Sequence, residues 1–250
     1  MSKLLYYRPQ YIIPLIFVST SPFLIATQAL ADKPFIMNSG ANNPLFSTNN
    51  SGFYNHLSDE IFKRMGIEVR NIKLPSQRAL LNLNSGIDDG NIARIKGLEK
   101  KFPNLVRVPE KIIDFEFMAY AHTPGITISN WKSLKPYTVG IMTGWKIYEK
   151  NVTQYKKLTK VKNPKLLFTL LGNKRSDIVL FDRWMGLWWA KKLGIQFELI
   201  EPPIAKRSMF IYLHKKHKTL VSQISKTIRT IKADGTYKKF FDKTLSVLKK

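Results

Sequence analysis

The chain has 250 residues, 44% hydrophobic and 12% aromatic, enough apolar material for a real core and too much for a disordered chain. It contains no cysteine, which excludes disulfides and thiolate metal sites. Lys and Arg number 41 against 17 Asp and Glu, a formal net charge of +24. These cations are spread along the whole length, which fits a solvated basic surface, or one drawn to an anionic membrane or cell-wall polymer, better than the single basic block of a nucleic-acid binder.

The first 31 residues read as a secretory signal. Lys3 and Arg8 form a positive start, 12–25 is apolar, and Ala29, Leu30 and Ala31 make a small-residue cleavage site. Pro14, Ser19, Thr20, Ser21 and Pro22 interrupt that apolar stretch, so it falls short of a membrane span. Removing it takes away Lys3 and Arg8 and leaves 219 residues at +22. No later segment is apolar enough to cross a bilayer, and the mature chain is expected to be soluble and periplasmic.

Residues 33–39 read as a strand and 42–51, rich in Asn, Ser and Pro, as a loop. Phe53, Leu57, Ile61, Phe62 and Met65 recur at helical spacing before Gly66, and 67–73 alternates as a strand. Ser76 is placed as the N-cap of a short helix through Leu80, Leu81 and Leu83, stopped by Gly86. Strands are expected at 89–95 and 105–108, with a basic helical turn at 96–102 between them. An apolar strand at 115–121 ends at the turn of Pro124 and Gly125, and a second cycle follows: strand 137–142, helix 144–157, helix 165–171, strand 177–181, and helix 183–193 closed by Gly194. Strands at 195–201 and 208–213 precede two C-terminal helices parted near Asp234 and Gly235. Alternation of strand and helix predicts an α/β fold with a mostly parallel sheet.

Five segments in this order carry a resemblance. They are GFYNHLSDEIFKRMGI (52–67), SQRALLNLNSGIDDGNIARI (76–95), SNWKSLKPYTVGIMTG (129–144), LLGNKRSDIVLFD (170–182) and KTIRTIKADGTYKKFFDK (226–243). Across nearly the whole mature chain the sequence resembles the periplasmic solute-binding proteins for polar amino acids, bacterial extracellular solute-binding protein family 3, the receptors of ABC importers. The resemblance implies a two-lobed type II periplasmic-binding-protein fold, with a ligand cleft between lobes joined by a two-strand hinge. The first lobe would hold 32–120 and 207–250, the second 121–206, with crossings near 118–123 and 203–208. It further implies a small polar solute, an amino acid, as ligand, a membrane permease as partner, a monomeric state and no cofactor.

A zwitterionic amino acid needs a guanidinium fork for its carboxylate and an acceptor for its ammonium group. Arg94, at the end of the strand 89–95, is the first candidate for the carboxylate and Arg78 the second, with Ser76 beside it. The threonine–arginine pair usual in the family after that strand is replaced here by Lys96, Lys100 and Lys101. Asp182, at the carboxyl end of an apolar strand, is the candidate for the ammonium group, its other reading being a helix N-cap; Asp177, ahead of that strand, reads as structural. Thr143, Gly144 and Trp145 sit at a strand-to-helix junction whose free amides suit an anion. Phe46 and Phe53 would stack on an apolar part of the ligand or belong to the core, and the Trp184, Trp188 and Trp189 group reads as a core face. His56, His122, His214 and His217 lack zinc spacing, and no phosphate loop or nucleophile motif is present. The expected role is therefore non-enzymatic. The alternatives are an exported enzyme of this architecture, with Glu99, Glu110 or Glu116 as a general acid, or a ligand sensor signalling to a membrane partner.

Overall fold

Phe53, Leu57 and Ile61 fall every fourth residue and form, with Tyr54 and Phe62, the buried stripe of helix α1 (Phe53–Arg64). The computed structural model describes residues 33–249, so the expected signal at 1–31 lies outside the described residues. From Lys33 onward the chain forms one compact unit. Helix α1 follows strand β1 (Phe35–Ser39) and leads to β2 (Val69–Lys73), helix α2 (Ser76–Asn84) and β3 (Gly90–Ile95). After a 3-10 turn the chain enters β4 (Leu105–Ala121). The next cycle holds β5 (Thr138–Met142), α3 (Lys146–Asn151), β6 (Lys157–Val161), α4 (Pro164–Gly172), β7 (Ile178–Asp182) and α5 (Arg183–Leu193). Strand β8 (Glu198–His214) returns the chain to the first cycle, where α6 (Val221–Ala233) and α7 (Thr236–Thr244) end the fold.

The eight strands make one sheet in the order β2-β1-β3-β8-β4-β7-β5-β6. Its two ends are parallel, β2-β1-β3 on one side and β7-β5-β6 on the other, whereas β3-β8, β8-β4 and β4-β7 are antiparallel. The sheet is thus more evenly mixed than strand–helix alternation implied. Each parallel end carries its own helices, which gives two α/β lobes joined by the two long central strands.

Five expected elements are corrected. The strands placed at 105–108 and 115–121 are one 17-residue strand, as are those at 195–201 and 208–213. Across Pro109-Glu110-Lys111 and Pro202-Pro203, β4 and β8 stay paired from Leu105↔His214 to Ala121↔Glu198, absorbing the irregular residues as register shifts. The helix expected at 144–157 spans only Lys146–Asn151, and KLTKV forms the edge strand β6, whose lysines masked its β character. By contrast α5 occupies the expected 183–193 and ends on Gly194 at φ +63.

The core crosses the sheet's length. One apolar cluster unites Met37, Phe53, Leu57 and Ile228 with Phe168, Phe181 and Trp184, and Trp184 meets Phe241 edge-on at 5.2 Å. A second surrounds β5 with Phe117, Tyr148, Ile178 and Leu180. Trp184 is buried and Trp188 and Trp189 half-buried, with Lys192 Nζ 4.7 and 5.3 Å above the latter two rings.

Buried Tyr120 of β4 donates its hydroxyl to the Arg183 carbonyl at 2.7 Å and stands 3.0 Å from that of Asp182. It fits because residue 186 of α5 is glycine: a Cβ there would lie 2.2 Å from the hydroxyl oxygen. Gly186→Ala is therefore expected to lower stability by about 1–3 kcal/mol through overpacking. An unchanged urea midpoint and slope would show that α5 shifts freely on β4.

Candidate ligand-binding site

The site begins with a polar network under α2. Asn38 of β1 is wholly buried; its Nδ2 donates to Asp88 Oδ2 at 2.7 Å and to the Ala79 carbonyl at 2.9 Å, and its Oδ1 accepts from Asn91 of β3. Because Ala79 lies in the first turn of α2, these bonds fix the helix start over the end of β1 and the start of β3. Gly40, just after β1, presses against that start. A Cβ at Gly40 would stand 2.6 Å from Ser76 Cα, so only glycine permits the approach.

Ser76 is the first residue of α2, and Pro75, which has no capping side chain, holds the N-cap position assigned to Ser76. The Ser76 hydroxyl is engaged elsewhere: Arg94 Nη1 donates to Oγ at 2.8 Å and Nη2 donates to the Ser76 carbonyl at 2.7 Å. A register shift between Asn91 and Arg94 sets the end of β3 that aims this side chain. Arg94 is half-buried, and its Nε is enclosed without an acceptor. No carboxylate pairs with it among the described residues. Desolvation by the surrounding protein pulls its pKa down to about 10. Nε–H and the remaining Nη hydrogens thus form an unfilled fork beside an uncapped helix N-terminus, the surroundings a carboxylate fits. Arg78 lies exposed in the same first turn.

Asp182 stands at the carboxyl end of β7 as expected, but wholly buried and serving as the N-cap of α5, its Oδ1 accepting from Met185 N–H at 2.9 Å. Its Oδ2 has no partner. Burial raises the carboxyl pKa to about 7, against the lowering pull of the Met185 and Trp184 amides and Arg183. Two further buried polar atoms without partners, the hydroxyls of Tyr54 on α1 and Tyr148 on α3, lie within its field. Sequence reasoning missed both tyrosines, which sit at apolar helical positions. No hydrogen bond or ion pair among the described residues links Arg94 to Asp182: Arg94 is held by Ser76 and Asp182 by the Met185 amide.

The other candidates are placed differently. At the β5–α3 junction the amides are already used: Thr143 N–H donates to the Val161 carbonyl at 2.9 Å, Gly144 N–H to Glu149 Oε1 at 2.8 Å, and Trp145 N–H to the Met142 carbonyl at 3.4 Å. The chain's own carboxylate, five residues on from Gly144, fills the place proposed for an external anion. Trp145 instead stacks on Tyr148 at 5.5 Å and packs on Phe181 at 4.7 Å. Phe46 and Phe53 belong to the core, Phe53 meeting Tyr237 and Phe241 edge-on. Cavities of about 620 and 460 Å³ lie elsewhere, the larger beside Leu187, Phe197 and Leu248 and the smaller beside Val106, Lys218 and Arg229, and none of these site candidates lines either. Of the three proposed acids, Glu116 is held by Arg183 and Lys206, Glu110 by Lys232, and Glu99 accepts from the Tyr212 hydroxyl.

No family model matches the chain. An uncharacterised protein of Shewanella oneidensis is 23% identical over 203 residues, 75% of this chain and 72% of that one. Among solved structures, the GluR0 ligand-binding core in complex with L-glutamate superposes with a TM-score of 0.73 at 13% identity, over 86% of this chain and 99% of that one. An ancestral arginine-binding protein bound to glutamine does so at 0.67 and 22%, over 84% and 97%. An ancestral amino-acid-binding protein, precursor of cyclohexadienyl dehydratase, gives 0.66 and 16%, over 85% and 95%. The fold is that of the two-lobed periplasmic-binding-protein class, its two halves joined by the long strands β4 and β8.

Because the Asp182 carboxyl is raised on folding, the native state holds its proton between about pH 4 and pH 7 while the unfolded chain has lost it. Stability from this group is present at the acid end and falls as pH rises through that window, by an amount on the order of 4 kcal/mol. Asp182→Asn keeps an oxygen for the Met185 amide and removes the titration. Urea melts are expected to show a flatter loss of stability between about pH 4 and pH 7 than the parent, and identical pH slopes would mean the carboxyl is not held neutral.

Proposed function

We propose that this chain is an extracytoplasmic solute-binding receptor that closes its two lobes on a small polar molecule bearing a carboxylate, an amino acid by preference. The observation that carries this reading is Arg94, a desolvated guanidinium with no acid partner among the described residues, held by Ser76 at the open start of α2. Amino-acid complexes among proteins of the same fold support the ligand class. In this proposal the first lobe comprises 32–120 and 207–250 and the second 121–206, so that Arg94 is contributed by one and Asp182 by the other. Closure moves the second lobe toward the first, and the ligand's differential contacts favour the closed state. Asp182 Oδ2, or the Tyr54 and Tyr148 hydroxyls around it, then receives the ammonium group. The expected signal at 1–31 places the receptor in the periplasm, where its partner is the permease of an ABC importer.

A thermal-shift screen of the protein from Lys33 onward against amino acids and organic acids tests the reading. A ligand at a hundred times its Kd adds about 2.7 kcal/mol to the folded state. Arg94→Ala is expected to weaken the stabilising ligand more than tenfold while keeping the parent's unliganded melting temperature, and Asp182→Ala to weaken it more than tenfold at some cost in stability. Full affinity in Arg94→Ala would remove the clamp from this site. Consumption of the stabilising compound would move the protein to the enzyme reading, for which a precursor of a dehydratase on this fold is the precedent.

A further inference from the structure

Between Glu149 and Asp177 the chain carries eight Lys and Arg and no acid. Lys157 and Lys160 lie on β6, Lys156 and Lys162 flank it, Lys165 is in the first turn of α4, and Lys150, Lys174 and Arg175 complete the set; all eight are exposed. Strand β6 is the last of the sheet, so Lys157 and Lys160 stand on its free edge with Lys156 and Lys162 at the two ends of that strand. A second acid-free stretch, between Glu201 and Asp234, also holds eight cations. There, four are matched by acids from other elements: Lys206 by Glu116, Lys216 by Asp89, and Arg229 and Lys232 by Glu110. Around β6 none of the eight makes an ion pair with a described residue. The acids bounding this stretch are engaged, Glu149 with Lys146 and the Gly144 amide, Asp177 with Thr138 and His122.

Lysines on an edge strand deter sheet-to-sheet pairing, but two or three suffice for that, and five of these eight lie off the strand and its immediate start. Two large apolar side chains, Tyr155 at 41% and Leu166 at 49%, stand exposed beside Lys156 and Lys165. Clustered cations with adjacent exposed Tyr and Leu match the chemistry of a lipid headgroup layer, where lysines meet phosphates and the apolar groups reach the acyl boundary. Seven of the eight are lysines, point charges without the fork that reads a base edge or grips a phosphodiester bidentately.

We propose that this sheet edge docks the protein on an anionic bilayer surface, with phosphate headgroups against the lysines and Tyr155 and Leu166 at the interface. Docking is independent of solute and goes beyond the receptor reading: it survives if no amino acid binds.

Co-sedimentation with vesicles tests it, using the compact unit from Lys33 so that residues 1–31 play no part. The parent is expected to bind vesicles of phosphatidylglycerol mixed with phosphatidylcholine, to ignore pure phosphatidylcholine, and to release as salt is raised. Each lysine near the surface is worth about fivefold in partition. The combined change Lys156→Gln, Lys157→Gln, Lys160→Gln and Lys165→Gln is expected to lower partition by at least tenfold. Removing the same charge elsewhere, by Lys215→Gln, Lys226→Gln, Lys239→Gln and Lys243→Gln, should cost no more than about threefold. Tyr155→Ser with Leu166→Ser keeps the charge and should still lower partition by about threefold or more, which decides the matter if the glutamine variant does not fold. Equal losses in the two lysine variants, no loss in the serine variant, or capture of the parent by heparin or an oligonucleotide but not by anionic vesicles overturns the proposal.

Discussion

The antiparallel pairing of β4 with β8 is the constraint on which the rest of the fold hangs. These strands run side by side at the middle of the sheet, and each carries one parallel half, β8 through β3 and β4 through β7. An ion cluster ties them to α5. Arg183, its side chain almost wholly buried, donates to Glu116 of β4 and to both carboxylate oxygens of Glu201 on β8, and Lys206 closes the cluster on Glu116 at 2.7 Å. Burial alone would lower the Arg183 pKa, but Glu201 and Glu116 reverse the sign and raise it. Removing both acids would leave the Arg183 charge buried and unpaired, a strongly destabilising change, so the cluster ties α5 to the strand pair. Asp182, next along the chain from Arg183, inherits that position.

Polar groups in the two halves of the candidate site are satisfied differently, and the difference bears on function. Under α2, Asn38, Asp88 and Asn91 satisfy one another, as a buried polar set must if it is to fix a single geometry. Around Asp182, by contrast, a carboxylate oxygen and two tyrosine hydroxyls are buried without partners. Each such group costs about 1–3 kcal/mol. An ammonium group reaching Asp182 Oδ2, as proposed, would relieve part of that cost. The rigid network thus sits beside Arg94, the proposed carboxylate clamp, and the unsatisfied one around Asp182, the proposed ammonium partner.

The fold was largely legible in the sequence, the site only in part. Helices α1 and α5 and the split at Asp234-Gly235 were readable because apolar spacing, basic last turns and glycine stops agree there. Strand β6 was not, since two lysines in five residues give no alternating apolar signal, and the long central strands were not, since register shifts carry their prolines. Arg94 stood out as a guanidinium at a strand end, where a carboxylate ligand would need a planar fork. Thr143, Gly144 and Trp145 misled because an internal anion five residues away, Glu149, cannot be told from an external one by spacing alone. Asn38 and Asn91 left a faint mark that was not used: each is an amide inside a strand that is otherwise mostly buried, FIMNS and GNIARI.

Charge separates the site from the surface. Most acids within the described residues hold cations or backbone amides: Glu60 and Asp234 hold Arg64, Asp89 holds Lys216 and His217, Glu110 holds Lys232, and Glu116 holds Arg183 and Lys206. What remains is a positive field, to which the cations around β6 contribute without an ion pair among the described residues, tempered by Glu149 acting on Lys160 and Asp177 on Lys156. Over the distances at which a small anion first senses the protein, about one Debye length in physiological salt, that field raises its local concentration without choosing its shape. Under the proposed function, selection would fall to the last few ångströms, where the partly desolvated Arg94 fork would meet the ligand's carboxylate. A mobile lysine in that place would supply the charge but not the fork, which is why the abundance of lysine elsewhere in this chain does not make Arg94 redundant.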